Sequence, residues 1–285
     1  MAISIGTNVT SLQAQRRLDL TAQKLSNSYN KLSSGYRINR GGDDAAGLAI
    51  AETLKAQSRI ASQAIRNTND GISTIAIADG ALGEVSNILS RLAELASQAA
   101  NGTLSTTQRS VVSNEFVALG SEIDRIAQVT EFNGIKLLSG TSQITIQVGT
   151  GSGSTSQIGY TNQLATLNGI GLGATSGALT YSINGATNDL AMTAARLALD
   201  AVYGAIYSVG ASRGFLGGIE SRLSTAVASL GVTKENLIAA ESRIRDVDVA
   251  EEAANLTRLN ILQQAGTAVL AQANQLPSLA LQLLR

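Results

Sequence analysis

Apolar side chains recur at alternating intervals of three and four residues along most of the chain. This spacing is a heptad repeat, which places apolar residues on one stripe of a helix and predicts packing against another helix. Such stripes run through residues 75–96, 112–126 and 209–244. The stripe nearest the N-terminus consists of Leu18, Ala22, Leu25, Tyr29 and Leu32. The stripe nearest the C-terminus consists of Leu259, Leu262, Val269, Ala273, Leu276 and Leu283.

The length of the periodic segments predicts an elongated molecule. Residues 45–100 form a single helical pattern, which would be ~80 Å long at 1.5 Å per residue. Residues 189–246 form a comparable pattern. A compact sphere of this mass is only ~35–50 Å across. We therefore predict a mainly α fold, built as an elongated antiparallel helical rod or coiled coil.

The middle of the chain has a different pattern. Residues 140–177 are rich in Gly, Ser and Thr, and "QITIQVG" alternates apolar and polar positions as a half-buried strand does. The later stretch "LTYSING" (residues 179–185) resembles a partner strand that ends in a turn, and Asn133-Gly134 is a strong turn signal. These features predict a small β-hairpin region at about residues 133–188.

Composition excludes several kinds of chemistry. The chain has 285 residues, with no histidine, no cysteine and one proline, and its formal net charge is zero. Without histidine or cysteine there is no imidazole acid–base catalyst and no imidazole or thiolate metal ligand. These two kinds of chemistry are therefore excluded, and our expectation for the chain is no enzyme activity, no catalytic, metal or cofactor site and no cofactor. A neutral chain also gives no indication of nucleic-acid binding.

Neither end of the chain has the pattern of a membrane or secretion signal. The first twenty residues lack the basic region, apolar core and cleavage site of a cleavable signal peptide. Residues 259–284 are apolar and uncharged, but seven Asn and Gln residues interrupt them. Buried amides without partners are costly in lipid, so we predict no membrane insertion.

Five residues between two helical patterns have the composition of a joint. They are Arg40, Gly41, Gly42, Asp43 and Asp44. A P-loop would need Gly-Lys-Ser/Thr after its glycines, and an EF-hand would need oxygen ligands at alternating positions ending in Glu, and neither is present. The glycines permit non-helical backbone, and either aspartate can cap the next helix. We predict an interdomain joint here.

A second charged cluster lies before the C-terminal stripe. Its acidic residues are Asp246, Asp248, Glu251 and Glu252. A charge run of this kind is typical of a solvated hinge, and a metal site is the alternative interpretation. Just before it, Glu241 and Arg245 are four residues apart on the predicted helix, which is typical of a surface pair.

Four long stretches resemble bacterial flagellin. They are "SLQAQRRLDLTAQKLSNSYNKLSSGYRINRGGDDAAGLAI", "ELASQAANGT", "EIDRIAQVTEFNGIKLL" and "SRIRDVDVAEEAANLTRLNILQQAGTAVLAQANQLPSLALQLLR". The resemblance implies a terminal coiled-pair domain of residues 1–44 and 246–285, with a spoke at about 33–46. It implies a helical rod domain of residues 45–245, and a short form that lacks large variable outer domains.

The resemblance also implies a function. A flagellin is a structural subunit that is exported unfolded through the flagellar export apparatus and self-assembles at the tip of the extracellular flagellar filament, which serves motility. The implied partners are identical copies, an export chaperone, the filament cap protein and the hook–filament junction protein. The two terminal stripes would carry self-assembly. Alternatives are a related axial protein of the hook–filament junction and a secreted membrane-active translocator.

A final expectation concerns host recognition. In flagellins that activate a host Toll-like receptor, the receptor contacts a patch on the inner helices. Resemblance places this patch at Arg91, Leu95 and Glu115. Arg91 and Leu95 are four residues apart on a predicted helix, so we expect them to share one face.

Overall fold

The structure is a computed structural model that describes residues 7–174 and 178–283, with side chains described as far as residue 275. Its described contacts divide the chain into two compact units. Unit 1 consists of Met1–Arg59 and Lys234–Arg285, and unit 2 of Ile60–Thr233. The helices are α1 (Val9–Ser34), α2 (Ala45–Ala99), α3 (Thr106–Val129), α4 (Asn188–Arg245) and α5 (Val249–Leu283). The mainly α prediction is confirmed.

Two of the helices are long enough to contribute to both units. Helix α2 has 55 residues and α4 has 58. At 1.5 Å per residue they are about 80 and 90 Å long. The unit boundaries fall inside these helices, whereas the predicted domain boundaries fall at the helix ends, at residues 44/45 and 245/246.

In unit 1, α1 packs against α5 in antiparallel orientation. The order of the contacts shows this, because Asn8 of α1's N-cap bonds Ala273 and Ser28 bonds Glu252. The following α1 residues are buried or half-buried at heptad spacing: Ser11, Ala14, Leu18, Thr21, Leu25, Ser28 and Leu32. The α5 residues buried or half-buried at the same spacing are Glu252, Leu256, Leu259, Gln263, Gly266, Leu270 and Ala273, and Ser28–Glu252 and Leu18–Gly266 contacts join the two series. We call these two series the seam.

A short antiparallel pairing follows α1. Gly35 ends the helix with a left-handed backbone (φ 75°), which glycine adopts without strain. Tyr36 then pairs with Asp246, and the N–H groups of Arg37 and Val247 donate to the carbonyls of Arg245 and Gly35 at 2.6 and 3.0 Å. The segment between α1 and α2 is thereby fixed to the segment between α4 and α5.

Unit 2 has a continuous apolar core. The predicted α2 stripe from Ile75 to Ala96 is buried throughout, and Phe116 and Ile123 of α3 are buried beside it. Helix α4 adds Val209, Leu216 and Leu223 in the predicted heptad spacing, all at most 1 % exposed. The sequence prediction for this core is confirmed.

The strands of unit 2 form two hairpins. Strands β1 (Glu131–Phe132) and β2 (Ile135–Lys136) flank the predicted Asn133-Gly134 turn, and both turn residues have positive φ. Strands β3 (Gln143–Gln147) and β4 (Gln157–Thr161) are antiparallel, with Ile146 opposite Ile158. The small β-hairpin region is confirmed.

One strand partner was predicted wrongly. Strand β3 pairs with β4 and not with residues 179–185, where only Leu179 forms an isolated bridge, with Gly173. A partner close in sequence closes a shorter loop at a lower entropic cost. Ile158 and Tyr160 of β4 also alternate with exposed residues as a half-buried strand requires.

Candidate self-assembly surface

The seam of unit 1 combines leucines with small and polar side chains. The hydroxyl of Ser28 is buried and donates to Glu252, and Ser11 donates to Asn274 Oδ1 at 2.6 Å. Gly266 lies against Leu18, because a Cβ atom at this glycine would stand 3.1 Å from Leu18 Cδ1. Small and polar residues therefore let the two helices approach closely and help to define their register.

The predicted α1 stripe lies only partly in this seam. Leu25 is buried and Leu18 and Leu32 are half-buried, but Ala22 is exposed and Tyr29 is 51 % exposed. The five residues are therefore divided between the seam and the exposed surface, and their role in self-assembly stays a prediction. The face of α1 that is least exposed includes Thr21 and Ser28 in place of Ala22 and Tyr29. An apolar pattern does not detect these two positions, because their side chains are polar.

The predicted α5 stripe divides in the same way. Leu259 and Ala273 are buried in the seam, whereas Leu262 and Val269 are 51 % and 59 % exposed. The side chains of Leu276 and Leu283 lie outside the described residues. Half of the stripe's described residues therefore face solvent in the single chain.

Several further apolar residues of unit 1 are exposed and were not predicted as assembly residues. They are Val9, Leu12 and Leu20 of α1 and Ile261 of α5, each at least 50 % exposed. Together with Tyr29, Leu262 and Val269 they form what we call the apolar flanks. The sequence could have indicated them, because they are apolar residues at positions that do not fit the heptad spacing.

The joint is held by its aspartates. The N–H groups of Arg40 and Asn39 donate to Asp43 Oδ2 at 2.9 and 3.1 Å, and they lower the pKa of this carboxyl. Asp44 Oδ1 accepts the N–H of Gly47 at 2.9 Å and so caps α2.

Gly41 and Gly42 lie in a non-helical turn as predicted, but neither position requires glycine. The left-handed glycine of this region is Gly35, and neither Gly41 nor Gly42 has positive φ. A Cβ atom at either position would meet no atom within 4 Å. At Gly47, by contrast, it would stand 2.8 Å from Ile38 Cδ1 and would also collide with the Asp44 carboxylate. The glycine that this joint needs for close packing is therefore Gly47.

Arg245 is a contact residue of unit 1 that the sequence did not reveal. Its Nη1 donates to Glu52 at 2.8 Å, and its guanidinium lies 4.4 Å from the centroid of the Tyr36 ring. The Arg245 side chain is 12 % exposed. Helical spacing suggested only a surface pair with Glu241. The contact with Tyr36 cannot be read from helical spacing, since it joins distant parts of the chain.

The predicted receptor patch is only partly at the surface. Arg91 and Glu115 are exposed and form an ion pair at 2.8 Å, and Arg91 also bonds Glu94 at 2.8 Å. Glu94 and then Glu115 raise the pKa of Arg91. Leu95 is 1 % exposed and belongs to the core of unit 2, so the prediction that it lies in a surface patch with Arg91 is wrong. The 40° that separates positions four apart is enough to turn Leu95 inward.

Metal and membrane sites find little support in residues 7–174 and 178–283. No group of three acidic side chains there could hold a metal ion, and in the acidic run Asp248 caps α5 through the N–H groups of Ala250 and Glu251. By length and composition, α2 is the one described helix that could cross a membrane. The core helix of a soluble protein has the same properties, and the stripe from Ile75 to Ala96 is buried in unit 2.

Comparisons with known proteins agree with this architecture. Residues 5–143 match the family described as bacterial flagellin N-terminal helical region, and residues 199–284 match bacterial flagellin C-terminal helical region. A flagellin of Halalkalibacterium halodurans is 44 % identical over 283 residues, which is 99 % of both chains. A flagellin of Bacillus subtilis is 41 % identical over 302 residues, again 99 % of both chains. The crystal structure of Bacillus cereus flagellin is 31 % identical, with coverage of 58 % of this chain and 88 % of that chain and a TM-score of 0.49.

Proposed function

The chain belongs to the bacterial flagellin family, and we propose that its α1–α5 pair carries the contacts between neighbouring copies. Members of this family are structural proteins and not enzymes. The chain is accordingly a subunit that self-assembles with identical copies into the flagellar filament, the extracellular appendage of bacterial motility.

The observation that carries the proposal is the exposure of the apolar flanks. Leu262 and Val269 are more than half exposed, although the helix around them has no charge between residues 259 and 283. Fully burying a Leu or Val side chain contributes about 1.5–3 kcal/mol. Neighbouring copies that cover the flanks would therefore add to the stability of unit 1.

The wider partners and the export route are inferred from the family. We infer that the chain is exported unfolded through the flagellar export apparatus, with an export chaperone, and adds at the tip beside the cap protein. We also infer contact with the hook–filament junction protein. The absence of cysteine and the single proline support export unfolded, because no disulfide and few slow prolyl bonds would have to be remade on folding.

Filament formation is favoured over the alternatives. Flagellins that match along 99 % of their length favour a filament subunit over a junction protein. A membrane-active translocator is disfavoured because the matching proteins are flagellins over 99 % of both chains.

The assembly test is a truncation compared with an internal deletion. Deletion of residues 259–285 removes the exposed part of α5 and should abolish stable filaments in electron micrographs. Deletion of residues 150–153, in the loop between β3 and β4, should leave assembly intact and serves as the control. Normal filaments from the terminal truncation would refute the role of the helix pair.

We further propose that Arg91 and Glu115 form part of a contact site for a host Toll-like receptor, without Leu95. The support is the exposed ion pair, which presents a planar guanidinium with side-chain exposure of 50 %. Arg91→Ala monomer should lower the signal in a receptor reporter assay. Arg125→Ala is the matched control, since Arg125 is also exposed and paired with a glutamate three residues away. Equal signals from wild type and Arg91→Ala would exclude Arg91.

A further inference from the structure

Two oppositely charged features of unit 1 form no ion pair among the described residues. The first, the basic face of α1, is the pair Arg16 and Arg17, which are exposed and form no ion pair among the described residues. The second, the acidic corner, is formed by Asp246 and Glu251 between the end of α4 and the first turn of α5. Their side chains are also exposed and unpaired among the described residues.

Local helix chemistry does not account for either feature. Arg16 and Arg17 lie in the middle of α1, away from the helix end that favours basic residues. Asp246 follows the last residue of α4, where the negative end of the helix disfavours an acid. An acidic residue such as Glu251 is favoured in the first turn of α5. Helix chemistry therefore leaves the positions of Asp246 and the two arginines unexplained.

The two features cannot pair within one chain. Ser28 bonds Glu252, so the acidic corner is level with the last turns of α1. Arg16 precedes Ser28 by twelve residues, which is about 18 Å along the helix at 1.5 Å per residue. This separation is far beyond ion-pair distance.

We propose that the basic face of α1 binds the acidic corner of a second copy of the chain. Charge complementarity identifies the occupant, because the two surfaces have opposite charge on the same protein and are separated along it. A contact between two different patches of identical subunits is heterologous and propagates into an open polymer. The inference rests on the proposed assembly role of α1 and α5, and it adds a charge contact that sets the axial offset between copies.

Charge reversal gives a test with an internal rescue. Arg16→Glu with Arg17→Glu makes α1 acidic, and Asp246→Lys with Glu251→Lys makes the corner basic. Each variant alone faces like charges and should raise the critical concentration for filament formation about tenfold. An equimolar mixture of the two should assemble near the wild-type concentration, since each variant's α1 complements the other's corner. A chain with all four substitutions should assemble in the same way.

The controls separate this contact from folding and from assembly in general. Arg59→Glu changes an exposed charge of α2 in unit 1 and should leave assembly unchanged. Circular dichroism and thermal unfolding should be unaltered in each variant. If the Glu251 substitution disturbs α5, Asp246→Lys alone replaces the pair. Arg16→Gln with Arg17→Gln should differ from wild type at low salt and converge with it at high salt, because salt screens exposed pairs.

Two outcomes would overturn the inference: reversed variants that each assemble like wild type, or a mixture that assembles no better than its components. The apolar pair Leu262→Ala and Val269→Ala distinguishes the failure of this inference from that of the proposed function. If that variant loses assembly while the charge mixture shows no rescue, only the charge contact is wrong. If it assembles normally, the assembly role of the helix pair is wrong.

Discussion

Units 1 and 2 place their apolar residues differently. In unit 2, Ile75, Leu89 and Phe116 are at most 1 % exposed and belong to one core. In unit 1, small and polar residues such as Ser28 and Gly266 occupy the seam, while Leu262 and Val269 face solvent. Unit 2 thus has a continuous apolar core within one chain, although side chains such as Leu197 and Tyr207 remain exposed. Unit 1 has only a narrow seam, and we propose that neighbouring copies cover its exposed apolar flanks.

The largest expected effect is on the core of unit 2. Phe116→Ala should lower the free energy of unfolding by about 3–5 kcal/mol, since it opens a cavity in a packed core. Val117→Ala is the matched control on the same helix; Val117 is 50 % exposed and its loss should change stability by less than about 0.5 kcal/mol. Urea unfolding of the monomer measures both. Similar losses of unfolding free energy in the two variants would mean that burial of Phe116 does not stabilise unit 2.

Substitutions in the apolar flanks should affect filament assembly and leave the stability of the monomer almost unchanged. Leu262→Ala with Val269→Ala should change monomer unfolding by less than about 0.5 kcal/mol, because both side chains are mostly exposed. In the filament the pair should lose about 2–3 kcal/mol, which raises the critical concentration about 30- to 150-fold. Sedimentation of filaments against protein concentration gives this value. Unchanged assembly would place the flanks outside the interface.

The joint allows a comparison of two glycines. Gly47→Ala should cost about 1 kcal/mol, because its Cβ collides with Ile38 and displaces the Asp44 cap of α2. Gly41→Ala should be neutral or slightly stabilising, since its Cβ meets no neighbour. Thermal unfolding of the two variants decides this, and equal losses would contradict the assignment of the cap.

The smallest expected effect is a pH dependence in unit 2. A hydrogen bond from Arg213 to Asp79, at 2.8 Å, lowers the pKa of that carboxyl. A lowered folded-state pKa means that this stability is present above the unfolded pKa of about 3.9 and is lost as pH falls through the folded value. Both side chains are more than a third exposed, so the pair contributes only about 0.5 kcal/mol. Asp79→Asn should therefore be slightly less stable than wild type at pH 6, and this difference should shrink below pH ~3.5. A constant difference across this range would exclude the linkage.

Helical periodicity was the most reliable guide in the sequence. The α2 stripe from Ile75 to Ala96 and the α4 heptads lie in the core as predicted, because strongly apolar residues of unit 2 are also the packed ones. The turn at Asn133-Gly134 could also be predicted from the sequence, since positive φ at both positions favours these residues.

The errors have a common physical cause. An apolar pattern assigns packing only to apolar residues, and the seam of unit 1 also uses Ser28, Gln263 and Gly266. Leu95 was misplaced because residues four apart were assumed to have the same exposure, although the edge of the buried face passes between Arg91 and Leu95. Contacts between distant segments, such as Arg245 with Tyr36, leave no local trace.

The apolar flanks of unit 1 should become buried only in the filament, and a thiol label tests this most directly. The chain has no cysteine, so Leu262→Cys introduces a single thiol whose reactivity reports on its accessibility. We predict fast labelling in the monomer and strong protection in the filament, while Leu82→Cys, at a core position of unit 2 that is 1 % exposed, should be protected in both. Equal labelling of Leu262→Cys in monomer and filament would contradict burial of the flanks by neighbouring copies.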